Sequence, residues 1–181
     1  MQYFKEIILN DGRKCILRNC TKEDCRDVLS VFILTHEETD NLLTYPDENT
    51  FTEEQEAEYL AKKAESENEI EILAEIDGVV AGTAGIDAVG GCFKVRHRAE
   101  FGVGIAKKYW GLGIGRAMTE ACIECARKAG YEQLELNVVA ENERAVSMYR
   151  EAGFTEYGRN PRGFKSRISG FQEVVCMRIE L

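Results

Sequence analysis

The spacing of apolar residues along this chain changes between a period of two and a period of about 3.6, which predicts strands interleaved with helices. The turn sequences Asn10-Asp11-Gly12 and Asp77-Gly78 separate neighbouring apolar runs and predict hairpins. The apolar periodicity stops at residues 37–49, where we expect a loop or a broken helix, and we also expect a loop at residues 158–170. The predicted strands are residues 3–9, 13–18, 69–76, 79–89, 93–106, 131–139, 154–157 and 171–181, and the predicted helices begin at Thr21, Thr52, Gly113 and Asn142, the last three ending near residues 68, 128 and 151.

The most distinctive stretch joins a strand to a helix through three glycines. Phe101, Val103 and Ile105 alternate with Gly102 and Gly104, so one face of this strand carries apolar side chains and the other is nearly bare backbone. Further glycines follow at positions 111, 113 and 115 and lead into helical spacing. Glycines permit a tight turn, and the first N–H groups of a helix lack internal partners, so this junction suits an anion such as a phosphate.

Three interpretations of the glycine-rich turn compete when the turn is considered alone. A Walker A loop needs Gly-x-x-x-x-Gly-Lys followed by Ser or Thr, and the chain contains no such run. A dinucleotide fingerprint needs Gly-x-Gly-x-x-Gly after a first strand, whereas this chain has Gly-x-Gly-x-Gly in its second half. The third interpretation is a turn that only links a strand to a helix.

Length and charge narrow the class of protein. The 181 residues predict one mixed α/β domain, residues 1–181, with an apolar content of 44% to build its core. The net charge of -9 and the pI of about 4.9 argue against nucleic acid as a partner and are compatible with a cationic substrate. The chain has no apolar run long enough for a membrane span and no signal-peptide pattern, so we expect a cytoplasmic protein with no membrane partner.

Cysteine and histidine positions favour neither a disulfide framework nor a metal site. The seven cysteines are an odd number and are scattered. Cys122 and Cys125 form a Cys-x-x-Cys pair, but both belong to a continuous apolar stripe of the helix that starts near Gly113, which predicts buried core thiols. His36 and His97 have no partner at ligand spacing, so we expect no metal.

Two motifs flank the helix that follows the glycine-rich turn. Trp110, Gly113 and Gly115 fill a frame of Arg or Gln, two residues, Gly, one residue, and Gly or Ala, except that Trp110 stands in place of Arg or Gln. The second frame is Asn, two residues, Ala, three residues, Tyr, and then Gly-Phe. It is filled by Asn142, Ala145, Tyr149 and Gly153-Phe154.

With these motifs in this order, separated by one helix and one strand, the chain resembles the GNAT superfamily of acetyl-CoA-dependent N-acetyltransferases over most of its length. The resemblance implies a GNAT fold, in which a mixed, mostly antiparallel sheet of about seven strands, flanked by about four helices, splays after its central strand. The pantetheine arm of the cosubstrate acetyl-CoA would enter this gap. The implied cofactor contacts are the backbone of Val103, Gly104 and Ile105, the turn residues Gly111, Leu112, Gly113, Ile114, Gly115 and Arg116, and Asn142.

The implied chemistry is transfer of an acetyl group to a primary amine by direct attack in a ternary complex. The resemblance makes Tyr149 the donor of a proton to the departing thiolate, although a half-buried helix aromatic is the structural alternative. Glu100 projects from the bare strand face, and a carboxylate made more basic by burial could take the ammonium proton directly or through water. A structural pairing of Glu100 with Arg96 or Arg98 is the alternative, and some family members use a chain of waters instead of one base.

The acceptor is expected to enter between the acidic segment of residues 37–47 and the basic loop of residues 159–167. The carboxylates of residues 37–47 would attract an amine, and the cations of residues 159–167 could bind a carboxylate or phosphate of the same small molecule or peptide. The alternative is that these are ordinary solvated loop charges.

Two other classes of function remain open: a domain that holds acetyl-CoA without turnover, as a sensor or scaffold, and a nucleotide-binding domain. Dimers are frequent among proteins of this superfamily, so the resemblance also implies a possible homodimer.

Overall fold

The computed structural model describes residues 1–181 as one eight-stranded sheet with four α-helices packed against it. The strands are β1 (Phe4–Ile8), β2 (Lys14–Asn19), β3 (Ile70–Ile76), β4 (Val79–Ala88), β5 (Arg98–Ile105), β6 (Gln133–Val139), β7 (Thr155–Ser166) and β8 (Gly170–Glu180). The helices are α1 (Cys25–Glu38), α2 (Glu53–Glu65), α3 (Ile114–Lys128) and α4 (Glu143–Glu151). None of these helices combines the length and the apolar character needed to cross a membrane.

The strands lie in the order β1-β2-β3-β4-β5-β6-β8-β7, and every neighbouring pair is antiparallel except β5 and β6. These two parallel strands pair only where Arg98, Ala99 and Glu100 face residues 133–135. Beyond Glu100, β5 continues to Ile105 with no strand partner on that side. The predicted mixed, mostly antiparallel sheet that opens after its central strand is thereby confirmed.

A cluster of hydrogen bonds on one buried carboxylate holds the short β5–β6 junction together. Arg98 donates to both oxygens of Glu135, one bond being 2.7 Å long. Gln133 and Tyr157 donate to the same carboxylate at 2.8 and 3.4 Å. The Arg98 guanidinium lowers the pKa of Glu135, so this carboxylate stays ionised. The two halves of the sheet are therefore tied at one end and free at the other.

The larger core lies between the sheet and α3. Met118 and Cys122 of α3 are fully buried in one cluster with Ile72 of β3 and Phe101 of β5. Cys125 belongs to the same cluster, and both thiols of the Cys-x-x-Cys pair are free. The prediction that these thiols are core residues is confirmed, and burial raises the pKa of Cys122.

Helices α1 and α2 cover the opposite face of the sheet with a smaller apolar cluster of Cys20, Val28, Leu60 and Leu73. Such a small cluster shields only part of that face. The uncovered part of the same face includes the bare backbone of β5 and borders the cleft described below.

Turns and helix ends follow the predicted glycine positions. Asp77 (φ +52°) and Gly78 (φ +78°) both adopt left-handed conformations in the β3–β4 hairpin, as the Asp-Gly sequence predicts. Gly130 (φ +81°) and Gly153 (φ +102°) follow the ends of α3 and α4 and take the conformation that closes a helix. The predicted hairpin and both predicted helix ends are confirmed.

Two predicted boundaries are wrong. Residues 158–170 were expected to form a loop, but most of them continue β7, which pairs with β8. The pairing shifts between Asn160 and Phe164, and this irregular stretch accommodates Pro161, which cannot donate to a ladder. The predicted strand at residues 93–106 begins only at Arg98, because Val95 and Arg96 donate to the Cys92 carbonyl in a preceding turn.

Candidate active site

The glycine-rich turn between β5 and α3 presents a row of unpaired backbone N–H groups. Gly111 (φ +85°) and Gly113 (φ +93°) adopt the left-handed conformation that favours glycine. Gly113 is the N-cap of α3, and no protein group accepts a hydrogen bond from the N–H of Ile114, Gly115 or Arg116. Because these groups lie at the positive end of a 15-residue helix, the turn suits an anion such as a phosphate.

The turn of the first hairpin holds the glycine-rich turn from outside. Asn10 donates its side-chain N–H to the Gly111 carbonyl at 3.0 Å and its backbone N–H to the Leu112 carbonyl at 3.1 Å. A trans peptide points its C=O and its N–H in opposite directions, so the N–H groups of Leu112 and Gly113 point away from Asn10. Asn10 and Gly111 are 101 residues apart in sequence, which is why the sequence pattern did not single out Asn10.

A cleft of about 780 Å³ runs from the glycine-rich turn along the bare face of β5. No atom lies within 4 Å of the position that a Cβ would take at Gly102, and the nearest atom at Gly104 is Thr35 Oγ1 at 3.4 Å. Val103 and Val138, on the separated parts of β5 and β6, also line the cleft. Its shape and its unpaired N–H groups fit an extended ligand that carries a phosphate at one end.

Tyr149 of α4 lines this cleft with a hydroxyl that no protein group binds. Its ring packs edge-on against Phe101 and Phe154, with ring centroids 6.0 and 5.9 Å away. Burial raises the pKa of Tyr149, so its phenol is neutral and able to donate a proton or a hydrogen bond. The structure thus places Tyr149 as a packed helix aromatic and a cleft residue at the same time.

Asn142 also combines a structural position with a place in the cleft. Its side-chain oxygen accepts the N–H of Ala145 at 3.3 Å and caps α4. The residue lines the cleft beside the separated strands. The prediction that a helix begins at Asn142 is confirmed, and Asn142 serves as its N-cap while it lines the cleft.

Glu100 lines the cleft at the end farthest from the glycine-rich turn, but its side chain is exposed. The burial on which its predicted role as a base depended is therefore absent. The alternative pairing is also absent, because Arg98 binds Glu135 and Arg96 stacks over the Phe93 ring at 4.4 Å. Glu100 lies directly opposite Asp87 of β4, so two like charges meet at this end.

The two charged segments expected to face each other across the acceptor opening contact each other. Arg167 forms ion pairs with Asp47 at 2.7 Å and Glu48 at 3.6 Å. Arg159 pairs with Glu156 and Glu173 on its own side of the sheet. Arg162 and Lys165 of the same loop form no ion pair and lie over the Phe171 ring, and none of the four cations of this loop lines the cleft. The expected carboxylate or phosphate subsite therefore has two paired cations and two that lie away from the cleft lining.

Asp40 is the centre of the contact between these segments. It accepts hydrogen bonds from Tyr45 at 3.0 Å, Ser166 at 2.6 Å and Ser169 at 3.1 Å. Gln172 donates to it at 3.2 Å. The bond from Ser166 lowers the pKa of Asp40, so the carboxylate that receives all four bonds is ionised. This contact closes one side of the cleft, next to Asn41–Thr44.

The arrangement of the turn, the separated strands and Tyr149 agrees with a known family. The model of the acetyltransferase (GNAT) family matches residues 33–154, which is more than half of the chain. The chain belongs to the GNAT family. Solved structures support the assignment: a GNAT-family acetyltransferase from Streptococcus pneumoniae is 30% identical, has a TM-score of 0.88, and is matched over 92% of this chain and 99% of that one.

More distant GNAT structures share the fold. The ribosomal-protein-alanine N-acetyltransferase of Brucella melitensis is 24% identical with a TM-score of 0.80, over 91% of this chain and 99% of that one. The structure of yncA from Salmonella typhimurium, solved with its cofactor acetyl-CoA, is 18% identical with a TM-score of 0.79, over 92% of this chain and 94% of that one.

Curated relatives are similar over shorter stretches. N-alpha-acetyltransferase 30 of Schizosaccharomyces pombe is 30% identical over 71 residues, which is 39% of this chain and 47% of that protein. A mycothiol acetyltransferase of Propionibacterium freudenreichii is 41% identical over 61 residues, which is 33% of this chain and 20% of that protein. The chain therefore matches less than half the length of these relatives.

Trp110 departs from the GNAT signature, and the structure shows what surrounds it. Its indole N–H donates to the Ile105 carbonyl at 2.7 Å, so one of the predicted backbone contacts already uses its carbonyl. The Arg144 guanidinium lies 5.8 Å from the Trp110 ring centroid and 4.0 Å from the Cβ position of Gly111, and Arg144 forms no ion pair. Arg144 therefore brings a free positive charge to the turn whose signature arginine is missing.

Glu71 of β3 is a cleft residue that the sequence-based prediction missed. It lies opposite Gly85 of β4, and a Cβ at Gly85 would overlap its Oε2, so the carboxylate leans across β4. One side of Glu71 faces the cleft and protein encloses the rest. Burial raises the pKa of Glu71 to about 7. The available sequence signal was weak, because Glu71 is one of two glutamates in the mostly apolar run of β3.

Several titratable groups surround Glu71. The positive charge of Lys63 opposes the effect of burial on the pKa of Glu71, and the negative charge of Asp87 adds to it. Lys63 is itself bound to Asp87, to Glu69 at 3.7 Å and to the Ile86 carbonyl at 3.3 Å, so Glu71 forms no ion pair of its own. Besides burial, the charge of Glu71 raises the pKa of Tyr59 of α2 and of Cys20 after β2, and the charge of Glu56 of α2 raises that of Glu71. The charge of Glu71 also acts on Cys122 of α3, from the opposite face of the sheet.

We predict that Glu71→Gln changes the pH dependence of folding. The folded pKa of Glu71 is about 7 against an ordinary 4.5, so ionisation of Glu71 destabilises the folded protein as the pH rises from about 4.5 to 7. The variant lacks this loss. Relative to the unsubstituted protein it should be more stable at pH 8 than at pH 5 by about 2–3 kcal/mol.

Urea denaturation at the two pH values measures this difference. The matched control is Glu75→Gln on the same strand, whose carboxylate lies 3.4 Å from Arg18 and for which we expect no gain at pH 8. An equal effect of Glu71→Gln at both pH values would contradict the prediction.

Proposed function

We propose that this GNAT-family protein transfers the acetyl group of acetyl-CoA to a positively charged primary amine, by direct attack in a ternary complex. The observation that carries the proposal is the charge pattern of the cleft. Unpaired N–H groups of the α3 N-terminus lie at one end, and the carboxylates of Glu71, Asp87 and Glu100 lie at the other. A strand face without side chains joins an anion site to a cation site.

The glycine-rich turn would bind the diphosphate of acetyl-CoA through the N–H groups of residues 111–116. Arg144 would add a positive charge there. The β6-facing edge of Val103 and Gly104 has no strand partner, so its backbone groups are free to pair with the amides of the pantetheine arm. Asn142 would contact the same arm. When bound, acetyl-CoA supplies the acetyl group as a reactive thioester.

Tyr149 would act where the thiol leaves. Its hydroxyl is neutral, unbound and open to the cleft, so it can give a proton or a strong hydrogen bond to the departing sulfur. The phenol would recover a proton from the attacking nitrogen, which must lose one as the amide forms.

The acceptor class follows from charge. The relatives' names state different acceptors, an N-alpha-acetyltransferase and a mycothiol acetyltransferase, so they support acetyl transfer without choosing a substrate. The exposed carboxylate of Glu100 would attract a cation, whereas Arg159 and Arg167 of the basic loop are already paired with protein carboxylates. Arg162 and Lys165 of the same loop lie over the Phe171 ring, and none of these four cations lines the cleft. This favours an amine, of a small molecule or a peptide, that carries no nearby negative charge.

We predict that Asn10→Ala weakens CoA binding. The substitution removes the hydrogen bond that fixes the Gly111 carbonyl, so the N–H groups of the turn become less ordered. A bond of this kind contributes about 1 kcal/mol, which corresponds to a dissociation constant about fivefold higher in isothermal calorimetry with CoA. The control is Asp11→Ala, whose side chain binds only Arg13 and should leave the affinity unchanged. Equal affinities for both variants would contradict the role of Asn10.

We predict that Tyr149→Phe lowers kcat by about 10- to 100-fold and leaves the CoA dissociation constant nearly unchanged, because only the proton donor is lost. Thiol release from acetyl-CoA and calorimetry with CoA measure the two quantities. The control is Tyr131→Phe, which removes the hydroxyl of another buried tyrosine that binds Asn68 outside the cleft. An unchanged kcat in Tyr149→Phe would remove the proposed role.

The substrate proposal is tested by thiol release with three acceptors at equal concentration: putrescine, a peptide with a free α-amine and no acidic side chain, and glutamate. We expect both cationic acceptors to react at least about tenfold faster than glutamate. The negative charge of glutamate would lie near the carboxylate of Glu100, and one such unfavourable contact should raise the free energy of the bound acceptor by more than about 1.4 kcal/mol. Faster reaction with glutamate would overturn the charge argument. CoA binding without thiol release from any amine would instead indicate a domain that holds the cofactor without turnover.

A further inference from the structure

We propose that Glu71, rather than Glu100, takes the proton from the ammonium group of the acceptor. The proposal rests on the function proposed above and names the base of that reaction. The argument comes from the position of Glu71 in the sheet, its lack of an ion pair, and the state of the other acidic and basic groups of the cleft.

Three aligned positions leave room for Glu71 to reach toward β5. Glu71 of β3 lies opposite Gly85 of β4, which lies opposite Gly102 of β5. Because Oε2 occupies the space of a Cβ at Gly85, the carboxylate already lies over β4. Neighbouring strands are about 4.8 Å apart, so the carboxylate is about one strand spacing from the open position at Gly102. An ammonium group above Gly102 would lie next to it.

The state of the Glu71 carboxylate suits a base. A carboxylate enclosed by protein and free of ion pairs holds a proton more firmly than one in water. Burial raises the pKa of Glu71 to about 7, which allows it to accept a proton near neutral pH and release it again. Lys63, the nearest cation, is held by Asp87, Glu69 and a backbone carbonyl.

The neighbouring candidates are less suited. Glu100 is exposed to solvent. Asp87 is bound to Lys63. Glu56 is buried on α2 and does not line the cleft. His36 lines the cleft and is the strongest rival, because Nδ1–H donates to the Phe32 carbonyl at 2.7 Å and leaves Nε2 as the nitrogen that could accept a proton. Burial lowers the pKa of His36, which makes it a weaker base than Glu71.

The proton balance of the step is complete. The acceptor ammonium gives one proton to Glu71, and the nitrogen lone pair forms the C–N bond as the C–S bond breaks. The second proton lost by the nitrogen ends on the thiol sulfur, with Tyr149 as its carrier. Glu71 then returns its proton to water, so an ammonium ion and a thioester become an amide, a thiol and one released proton.

The test compares Glu71→Gln, Glu100→Gln and His36→Gln by the pH profile of kcat/KM for thiol release with putrescine. Glutamine keeps the size of the glutamate side chain and cannot accept the proton. We expect Glu71→Gln to lower kcat/KM about 100- to 1,000-fold at pH 7. Its remaining rate should rise about tenfold per pH unit up to the pKa of the amine, because the free amine formed in solution needs no base. A residue with only a structural role would lower the rate equally at every pH.

Two readouts do not depend on turnover. CoA affinity by calorimetry should be the same in Glu71→Gln and the unsubstituted protein, which shows that the variant is folded. Side-chain carboxyl NMR should show one glutamate titrating near pH 7 that disappears in Glu71→Gln and persists in the Glu75→Gln control. Glu75 lies on the same strand outside the cleft, so this control should also keep its activity.

The outcomes separate this assignment from the proposed function. If the unsubstituted protein releases thiol and Glu71→Gln retains its rate and pH profile, the assignment to Glu71 is overturned and the proposed function stands. The assignment would also be overturned if Glu100→Gln or His36→Gln, and not Glu71→Gln, showed the lowered kcat/KM that rises about tenfold per pH unit. If the unsubstituted protein releases no thiol with any amine, the proposed function fails and the assignment fails with it.

Discussion

The parallel pairing of β5 with β6 over three residue pairs is the constraint on which the rest of this molecule depends. A longer ladder would join the two halves of the sheet along their whole length and leave no free strand edge. A shorter one would leave β6, β7 and β8 attached mainly through helices. The junction is stabilised because Glu135 accepts hydrogen bonds from Arg98, Gln133 and Tyr157 where the two strands separate. A charge-assisted cluster in a buried position thus compensates for the backbone bonds that the opening strands give up.

The opening is useful because glycines keep side chains out of it in three different ways. Gly111 and Gly113 allow the backbone to turn with positive φ, Gly102 leaves a strand face open, and Gly85 makes room for a carboxylate from the next strand. These are separate physical requirements. A methyl group would strain the backbone at the first two positions, fill the cleft at the third and displace Glu71 at the last.

The sequence predicted features that local pattern determines and missed those that distant contacts create. The helical stripe with Cys122 and the Asp77-Gly78 hairpin were predictable because their signals lie within a few residues. The β7 extension was not, because its pairing is supplied by β8 and its own residues include a proline and several cations with no period of two. Asn10 and Glu71 could not be assigned to the cleft, since each acquires its position from a partner on another strand or turn. The strand period gave the face of Glu100 correctly, but the exposure of that face depends on its neighbours.

The contact centred on Asp40 has a mechanical consequence. Four donors, three of them on the β7–β8 side, converge on a single carboxylate from the segment after α1. The two segments cross one flank of the cavity, and they are held together by Asp40 and by the ion pairs of Arg167 with Asp47 and Glu48. These contacts are hydrogen bonds and ion pairs, not apolar packing, so breaking them loses polar interactions and little buried apolar surface. Widening this flank of the cleft would therefore break polar contacts and leave the packing of the apolar core unchanged.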